Sequence, residues 1–284
     1  MPGFNGLRVL LLESRRADEM ARHIEANGGV ATVAPSMREV PLESNAEAIA
    51  FAHTLAAAGF DVVILLTGVG TRTLTRVVET VYPRERFVEL LKQVAVVPRG
   101  PKPIAALREL GVPFALAVPE PNTWREILQA LDDNAEKVPI RGRRVAVQEY
   151  GVTNQDLLDG LAARGAEVTR VPVYAWALPL DTAPLRAAVA GLARGEFDVL
   201  LLTTSVQVPH MLQVAAEMNL EESLRDALRR TLLASIGPTT TETLREHGLV
   251  ADLEPSHSKM GYLVRETAER SVELLRRKRA GGVD

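Results

Sequence analysis

Short apolar runs alternate along the chain with longer stretches in which apolar residues recur every three or four positions. Arg8–Leu12 and Asp61–Leu66 are unbroken runs of Val, Ile and Leu behind a charged first residue. They are long enough for a strand, too short for a helix, and apolar on both sides, which fits strands covered on both faces. Val30–Val33, Val94–Val97 and Phe114–Ala117 are further strand candidates. Between them the helical spacing predicts helices at Ala17–Asn27, closed by Gly28 and Gly29, at Ala46–Ala58, ending at Gly59, and at Pro103–Leu110 and Thr123–Leu131. Strand and helix alternate throughout, so the pattern predicts an α/β protein built on parallel sheets with helices on both faces.

The second half repeats the first. Gly142-Arg143-Arg144-Val145-Ala146-Val147-Gln148-Glu149 matches Gly6-Leu7-Arg8-Val9-Leu10-Leu11-Leu12-Glu13, and Phe197–Leu202 matches Phe60–Leu65. Leu244-Arg245-Glu246-His247-Gly248 matches Leu107-Arg108-Glu109-Leu110-Gly111. A nearly constant offset over three separated blocks indicates internal duplication, with two similar domains of five parallel strands each.

Two stretches break the pattern. Val171–Leu180 and Ala34–Leu42 each follow the second strand of a strand-helix-strand unit, and each is bracketed by prolines that remove donors and favour extended backbone. They read as crossings between two bodies, with a two-stranded linker at 36–39 and 172–177. The expected domains are then 1–35 with 178–265, and 40–171, while 266–284 forms a C-terminal helix and a frayed basic tail. Tyr174 is the one polar side chain on the returning crossing. Strand alternation places it at the join, with Val173 and Ala175 pointing the other way.

At 284 residues the chain has room for two domains, each with a substantial core. Its 46% hydrophobic and 24% charged content and net charge of -3 give no global attraction to nucleic acid or an anionic membrane, so any anion site must be local. With no cysteine, thiolate chemistry and disulfides are excluded. The N-terminal residues lack the pattern of a secretion signal and no apolar run is long enough to span a bilayer, so a cytoplasmic protein is expected.

In open parallel sheets ligands bind beyond the carboxyl ends of the strands, where helix starts present bare N–H groups. The corresponding loops are rich in Gly and hydroxyl residues: Ser14 and Arg15; Thr67 and Gly68; Arg99, Gly100 and Lys102; Tyr150 and Gly151; Thr204 and Ser205; Gly237, Thr239 and Thr240. Any one of them could serve as simple helix capping. Six together suit equally a ligand with several anionic groups. A dinucleotide fingerprint fails because Thr73 stands where a third glycine belongs after Gly68 and Gly70. There is no Walker A motif, and the five histidines show no metal-ligand spacing. Tyr174 is open to two readings, a packed linker aromatic or a proton donor to a departing hydroxide.

The duplicated layout, Val173-Tyr174 on the returning crossing, and Ile236-Gly237-Pro238-Thr239-Thr240 followed by a helix and Gly248 together resemble the uroporphyrinogen-III synthase family over about residues 7–265. The resemblance implies two domains, the first assembled from both chain ends. It implies a substrate, hydroxymethylbilane, with eight carboxylates, cyclised to uroporphyrinogen III with loss of water and inversion of ring D. It further implies no cofactor and no metal, Tyr174 as the acid, and Thr239 and Thr240 as carboxylate ligands. A monomer receiving its substrate from hydroxymethylbilane synthase would fit the family. Two departures stand out. Gly100-Pro101-Lys102-Pro103 lacks the threonine of the family's Gly-x-x-Thr motif, leaving Lys102 or Arg99 to meet the anion, and the loop after the third strand has Arg72 two residues late. The rival reading from another class is a non-catalytic two-lobed binding protein for a multi-anionic small molecule.

Overall fold

The structure is a computed structural model that describes residues 3–281 apart from 41, 43, 150 and 152. Contacts group the chain into two compact units, Met1–Arg38 with Ala177–Asp284, and Glu39–Trp176.

The first unit holds a four-stranded parallel sheet. In chain order its elements begin with β1 (Arg8–Leu11), α1 (Ala17–Ala26) and β2 (Val30–Val33). The linker strand β3 (Arg38–Val40) leads into the second unit, which contains α2 (Ala46–Ala56), β4 (Val62–Leu65), α3 (Gly68–Val78), α4 (Arg84–Lys92), β5 (Ala95–Pro98), α5 (Pro101–Leu110), α6 (Trp124–Asp133), β6 (Arg144–Gln148), α7 (Gln155–Ala163) and β7 (Glu167–Val171). The returning linker strand β8 (Ala175–Ala177) pairs with β3. The first unit then resumes with α8 (Ala183–Ala193), β9 (Val199–Leu202), α9 (Gln207–Glu217), α10 (Glu221–Leu228), β10 (Leu232–Ser235), α11 (Pro238–Glu246) and α12 (Met260–Arg279).

The two sheets have one design. Their orders are β10-β9-β1-β2 and β5-β4-β6-β7, parallel throughout, and in each the sequence-equivalent strands hold equivalent places. Each sheet also mixes the two repeats, because β1 of the first copy pairs with β9 of the second and β4 of the first with β6 of the second. At the start of these central strands an aspartate ties the copies together. Asp198 accepts the Arg8 backbone N–H at 3.0 Å, and Asp61 accepts that of Arg144 at 2.9 Å.

Alternation along the central strands splits each unit into two cores. In β4, Val63 and Leu65 join Phe51, Leu74 and Phe87 on one face, while Val62 and Ile64 join Ile127, Leu131 and Leu161 on the other. In the first unit Leu10, Leu200 and Leu202 pack with Leu185, Leu192 and Met211, and Val9, Leu11, Val199 and Leu201 with Met20, Leu263 and Val264. Strands buried on both faces require apolar residues at every position, and β4 and β9 supply them.

Three sequence expectations are corrected. Each sheet has four strands, not five. Phe114–Ala117 runs beside β5 with a single backbone bond, Ala115 N–H to Val96 at 2.8 Å, and its counterpart in the first unit is reduced to one bridge between Ala234 and Leu253. Pro113 and Pro119, which lack the donor that a ladder needs, flank that stretch in the second unit. The basic end of the chain is not a frayed tail: α12 buries Thr267, Ala268, Ser271 and Leu275, and Lys278 and Arg279 pair with Asp252 and Asp198 at 2.5 and 2.8 Å. Finally, Tyr174 precedes β8 instead of lying in it, so strand alternation does not apply. Val173 and Tyr174 are both buried in the Phe51 core.

Candidate functional site

In the second unit the loops that leave β4, β5 and β6 lie at one edge of the sheet. Thr67 caps α3, its hydroxyl accepting the Gly70 N–H at 2.9 Å. The same hydroxyl is 3.5 Å from the Tyr174 hydroxyl, so the ring that is buried in the core brings its polar end to the carboxyl end of β4. Trp176 meets Tyr174 edge to face with ring centroids 5.4 Å apart. Gly151, at φ +86°, lies against both rings: a Cβ there would come within 2.7 Å of Trp176 and 3.0 Å of Tyr174. Gly68 is similarly tight against the Lys102 carbonyl, at 2.5 Å from an added Cβ, which brings the starts of α3 and α5 together. Gly100 begins α5 beside the Asn122 side chain. Thus Thr67, Gly68, Gly100, Lys102, Gly151 and Tyr174 belong to one neighbourhood, and Arg99 precedes Gly100 at the end of β5. Tyr150 lies outside the described residues.

Arg72, displaced along α3, is committed to Glu109 at 2.8 and 2.5 Å. That pairing raises the arginine's pKa and lowers the carboxylate's.

In the first unit Ser14 and Arg15 are already engaged. The Glu13 carboxylate accepts their N–H groups at 3.1 and 2.9 Å and the Thr203 hydroxyl at 2.6 Å, while the Ser14 hydroxyl donates to the Met37 carbonyl. A carboxylate of the chain itself therefore sits where a ligand anion was expected. The N–H of Thr204 donates to Gln207 Oε1 at 3.3 Å and that of Thr203 to the same oxygen at 2.8 Å; Ser205 follows in the same loop. Beyond β10, Gly237 opens α11 without a side-chain cap. Thr240 is 2% exposed, and its hydroxyl makes no hydrogen bond among the described residues.

Electrostatics separates these loops into two kinds. Of the helices starting at the carboxyl edges, α1 and α7 carry acids in their first turns (Asp18 and Glu19, Asp156), whereas α3, α5, α9 and α11 carry none. Acids at a helix start neutralise its partial positive charge, so their absence leaves a field that favours an external anion. The division follows the repeat, since β1 is equivalent to β6, β4 to β9 and β5 to β10. The acid-bearing loops also hold the two equivalent glutamates, Glu13 and Glu149. The latter is 3% exposed and accepts from Arg170 Nε and Nη2, each at 3.0 Å. Sequence reasoning missed both, although they are identical residues in the aligned blocks and that pairing was a visible signal.

No group of three or more His, Asp or Glu residues among those described is arranged to hold a metal. No helix among them is long and apolar enough to cross a membrane.

A family model described as uroporphyrinogen-III synthase HemD matches residues 18–265. The Bacillus subtilis protein YjjA, whose name carries no function, is 28% identical over 94% of this chain and 97% of its own length. A Methanothermobacter thermautotrophicus protein named as a candidate uroporphyrinogen-III synthase is 30% identical over 83% of this chain and 87% of its own. Among solved structures, a mutant of Thermus thermophilus uroporphyrinogen III synthase superposes with a TM-score of 0.71 at 23% identity, over 94% of this chain and 99% of that one. The wild-type form of that enzyme gives 0.55 at 25% identity, over 94% and 98%. With a match that covers most of its length, this chain belongs to the uroporphyrinogen-III synthase family.

Proposed function

We propose that the chain cyclises hydroxymethylbilane to uroporphyrinogen III, with loss of one water and inversion of ring D. The observation that carries the reading is the set of acid-free helix starts at α3, α5, α9 and α11. A substrate with eight carboxylates needs several anion seats of modest strength, and helix starts with hydroxyl side chains provide them without the dense positive charge that would retain a product carrying the same carboxylates. In the second unit the seats are Thr67 and Gly68, and Arg99, Gly100 and Lys102. In the first they are Thr204 and Ser205, and Gly237, Thr239 and Thr240.

Tyr174 is the proposed acid. Its hydroxyl delivers a proton to the terminal hydroxyl of the bilane as the carbon–oxygen bond breaks, and water leaves. The electron pair comes from the adjacent pyrrole, giving an azafulvene. Ring D is attacked at its substituted carbon through a spiro intermediate, is released inverted, and closes the macrocycle. The proton lost on closure restores the tyrosine. Thr67 supports this role, since its hydroxyl lies 3.5 Å from that of Tyr174 at the end of β4. No step requires a cofactor.

Incubation of the purified chain with freshly made hydroxymethylbilane, followed by isomer-resolved chromatography of the oxidised products, tests the reading. Isomer III in excess over the spontaneous isomer I is expected. Isomer I alone, at the uncatalysed rate, refutes it and favours a binding protein.

A further inference from the structure

The loop after β10 has a second wall formed by residues outside the motif. Gly237 is buried, and a Cβ placed on it would lie 2.5 Å from Ser258 Oγ and 3.2 Å from Ser258 Cβ. The segment leading into α12 is therefore pressed against the start of α11, and two helix N-termini meet at one point. Neither is capped by a side chain and neither has an acid in its first turn. At the N-cap of the twenty-residue α12 stands Lys259, which cannot accept a hydrogen bond and sets a cation against the positive end of a helix. That placement is unfavourable by itself and becomes favourable when an anion lies between.

Other features point the same way. Thr240 is 2% exposed with a hydroxyl that has no partner among the described residues, and it is not one of the fully enclosed polar atoms. The approach segment is held in place by groups that leave Ser258 and Lys259 unused. Ser256 donates its N–H and hydroxyl to Glu266 at 2.9 and 2.5 Å, and its oxygen is 3.1 Å from His257 Nδ1. The His257 ring packs 4.5 Å from that of Tyr262, which also carries the Arg265 guanidinium at 4.6 Å. Ser258 and Lys259 are exposed and their side chains make no hydrogen bond or ion pair among the described residues.

We propose that the starts of α11 and α12 form a single carboxylate seat in which Ser258, Lys259 and the N–H groups of Met260 and Gly261 are ligands alongside Thr239 and Thr240. Gly237 is glycine because the Ser258 hydroxyl occupies the space of its side chain. Under the function proposed above, the seat holds one acetate or propionate arm of the bilane. The inference rests on that reading for the identity of its ligand.

The test uses the full chain labelled with 15N and titrated with sodium acetate and sodium propionate, with sodium chloride as control. The backbone resonances of Thr239, Thr240, Met260 and Gly261 are expected to move along one saturating curve. Lys259→Met should weaken that curve by ~10-fold or more and Ser258→Ala by ~3–10-fold, the scale of one charge-assisted bond and one neutral bond. With bilane as substrate both variants should raise KM and leave kcat nearly unchanged, the signature of uniform binding. Movement confined to α11, separate curves for the two helix starts, an equal response to chloride, or no movement would each overturn the proposal. A chain that makes no isomer III but shows the shared curve would refute the enzymatic reading and leave the seat standing.

Discussion

Replacing Asp198 by Asn removes one charge from the base of the first unit and leaves the shape nearly unchanged. The carboxylate accepts the Arg8 N–H at 3.0 Å, the Arg8 guanidinium at 3.1 and 3.3 Å, and the Arg279 guanidinium at 2.8 Å, and the residue is 8% exposed. Burial by itself favours the neutral acid. The hydrogen bonds from Arg8 and Arg279 outweigh it and hold the pKa at about 2 against an ordinary 3.8. At 1.36 kcal/mol per pH unit that gap is worth about 2 kcal/mol of folding stability. Because the folded value is the lower one, the contribution is complete above the unfolded value of 3.8 and is lost as the pH falls through about 2. Urea unfolding followed by circular dichroism, with hydrogen exchange of the β1 and β9 amides as a reporter local to this unit, should show Asp198→Asn weaker by about 2 kcal/mol at pH 7. The deficit should shrink below pH 4 and vanish near pH 2. Asp61→Asn is the internal control. It removes the charge from the equivalent acceptor of the Arg144 N–H, but its side chain is 29% exposed and its ion pairs are longer, at 3.4 and 3.8 Å. A loss of ~0–1 kcal/mol is expected there, as for exposed pairs generally. Equal stability of Asp198→Asn and parent at pH 7, or a deficit undiminished at pH 2, would refute the reasoning.

Tyr174→Phe keeps the buried ring and its contact with Trp176 and removes a hydroxyl that lies 3.5 Å from the Thr67 hydroxyl, so the melting temperature should hold. If the hydroxyl is the acid, kcat should fall by ~100-fold or more with isomer III still the product; activity within about twofold of the parent makes it a packing residue. Gly70→Ala should destabilise the second unit by ~1–3 kcal/mol, because its Cβ would collide with the buried Gln148 amide. Denaturation with tryptophan fluorescence reads that unit, which holds both Trp124 and Trp176, and a neutral result would mean that Gln148 moves aside at no cost.

The parallel sheets were legible because the evidence for them is one-dimensional: unbroken apolar runs, glycine stops, and blocks repeated at a fixed offset. Arg8–Leu12 and Asp61–Leu66 were foreseen to within a residue at each end of β1 and β4. Phe114–Ala117 has the composition of a strand and failed because strand formation needs a donor ladder as well as apolar side chains. The end of α12 was misread for a related reason. Arg276–Arg279 is a charge run in sequence, and only the fold reveals that Lys278 and Arg279 face Asp252 and Asp198 across 26 and 81 residues. Among the loops, the hydroxyl and glycine positions were visible, whereas the groups that already occupy their amides were not. Glu13 lies one residue before Ser14, but nothing local says that its carboxylate turns back onto the helix start.

The two copies show why loop chemistry escapes a reading that fold topology does not. Each unit must satisfy the amide at the end of its second central strand, Thr204 after β9 and Thr67 after β4, and each does so with a glutamine. In the first unit it is Gln207, from the helix that follows the loop. In the second, that helix position is Gly70, and the acceptor is Gln148 from the neighbouring strand, 3.3 Å from the Thr67 N–H, filling the space that glycine leaves. The first-copy equivalent of Gln148 is Leu12, which is buried in the core. The repeat therefore preserves a backbone requirement and exchanges the element that meets it, so two differences that look unrelated in an alignment, Gly70 against Gln207 and Gln148 against Leu12, are one substitution in space. A backbone requirement of this kind is set by the fold and is inherited with it. The side chain that answers it is set by neighbours far along the chain, and for that reason the loops can be located from sequence while the groups that occupy their amides have to be read from the structure.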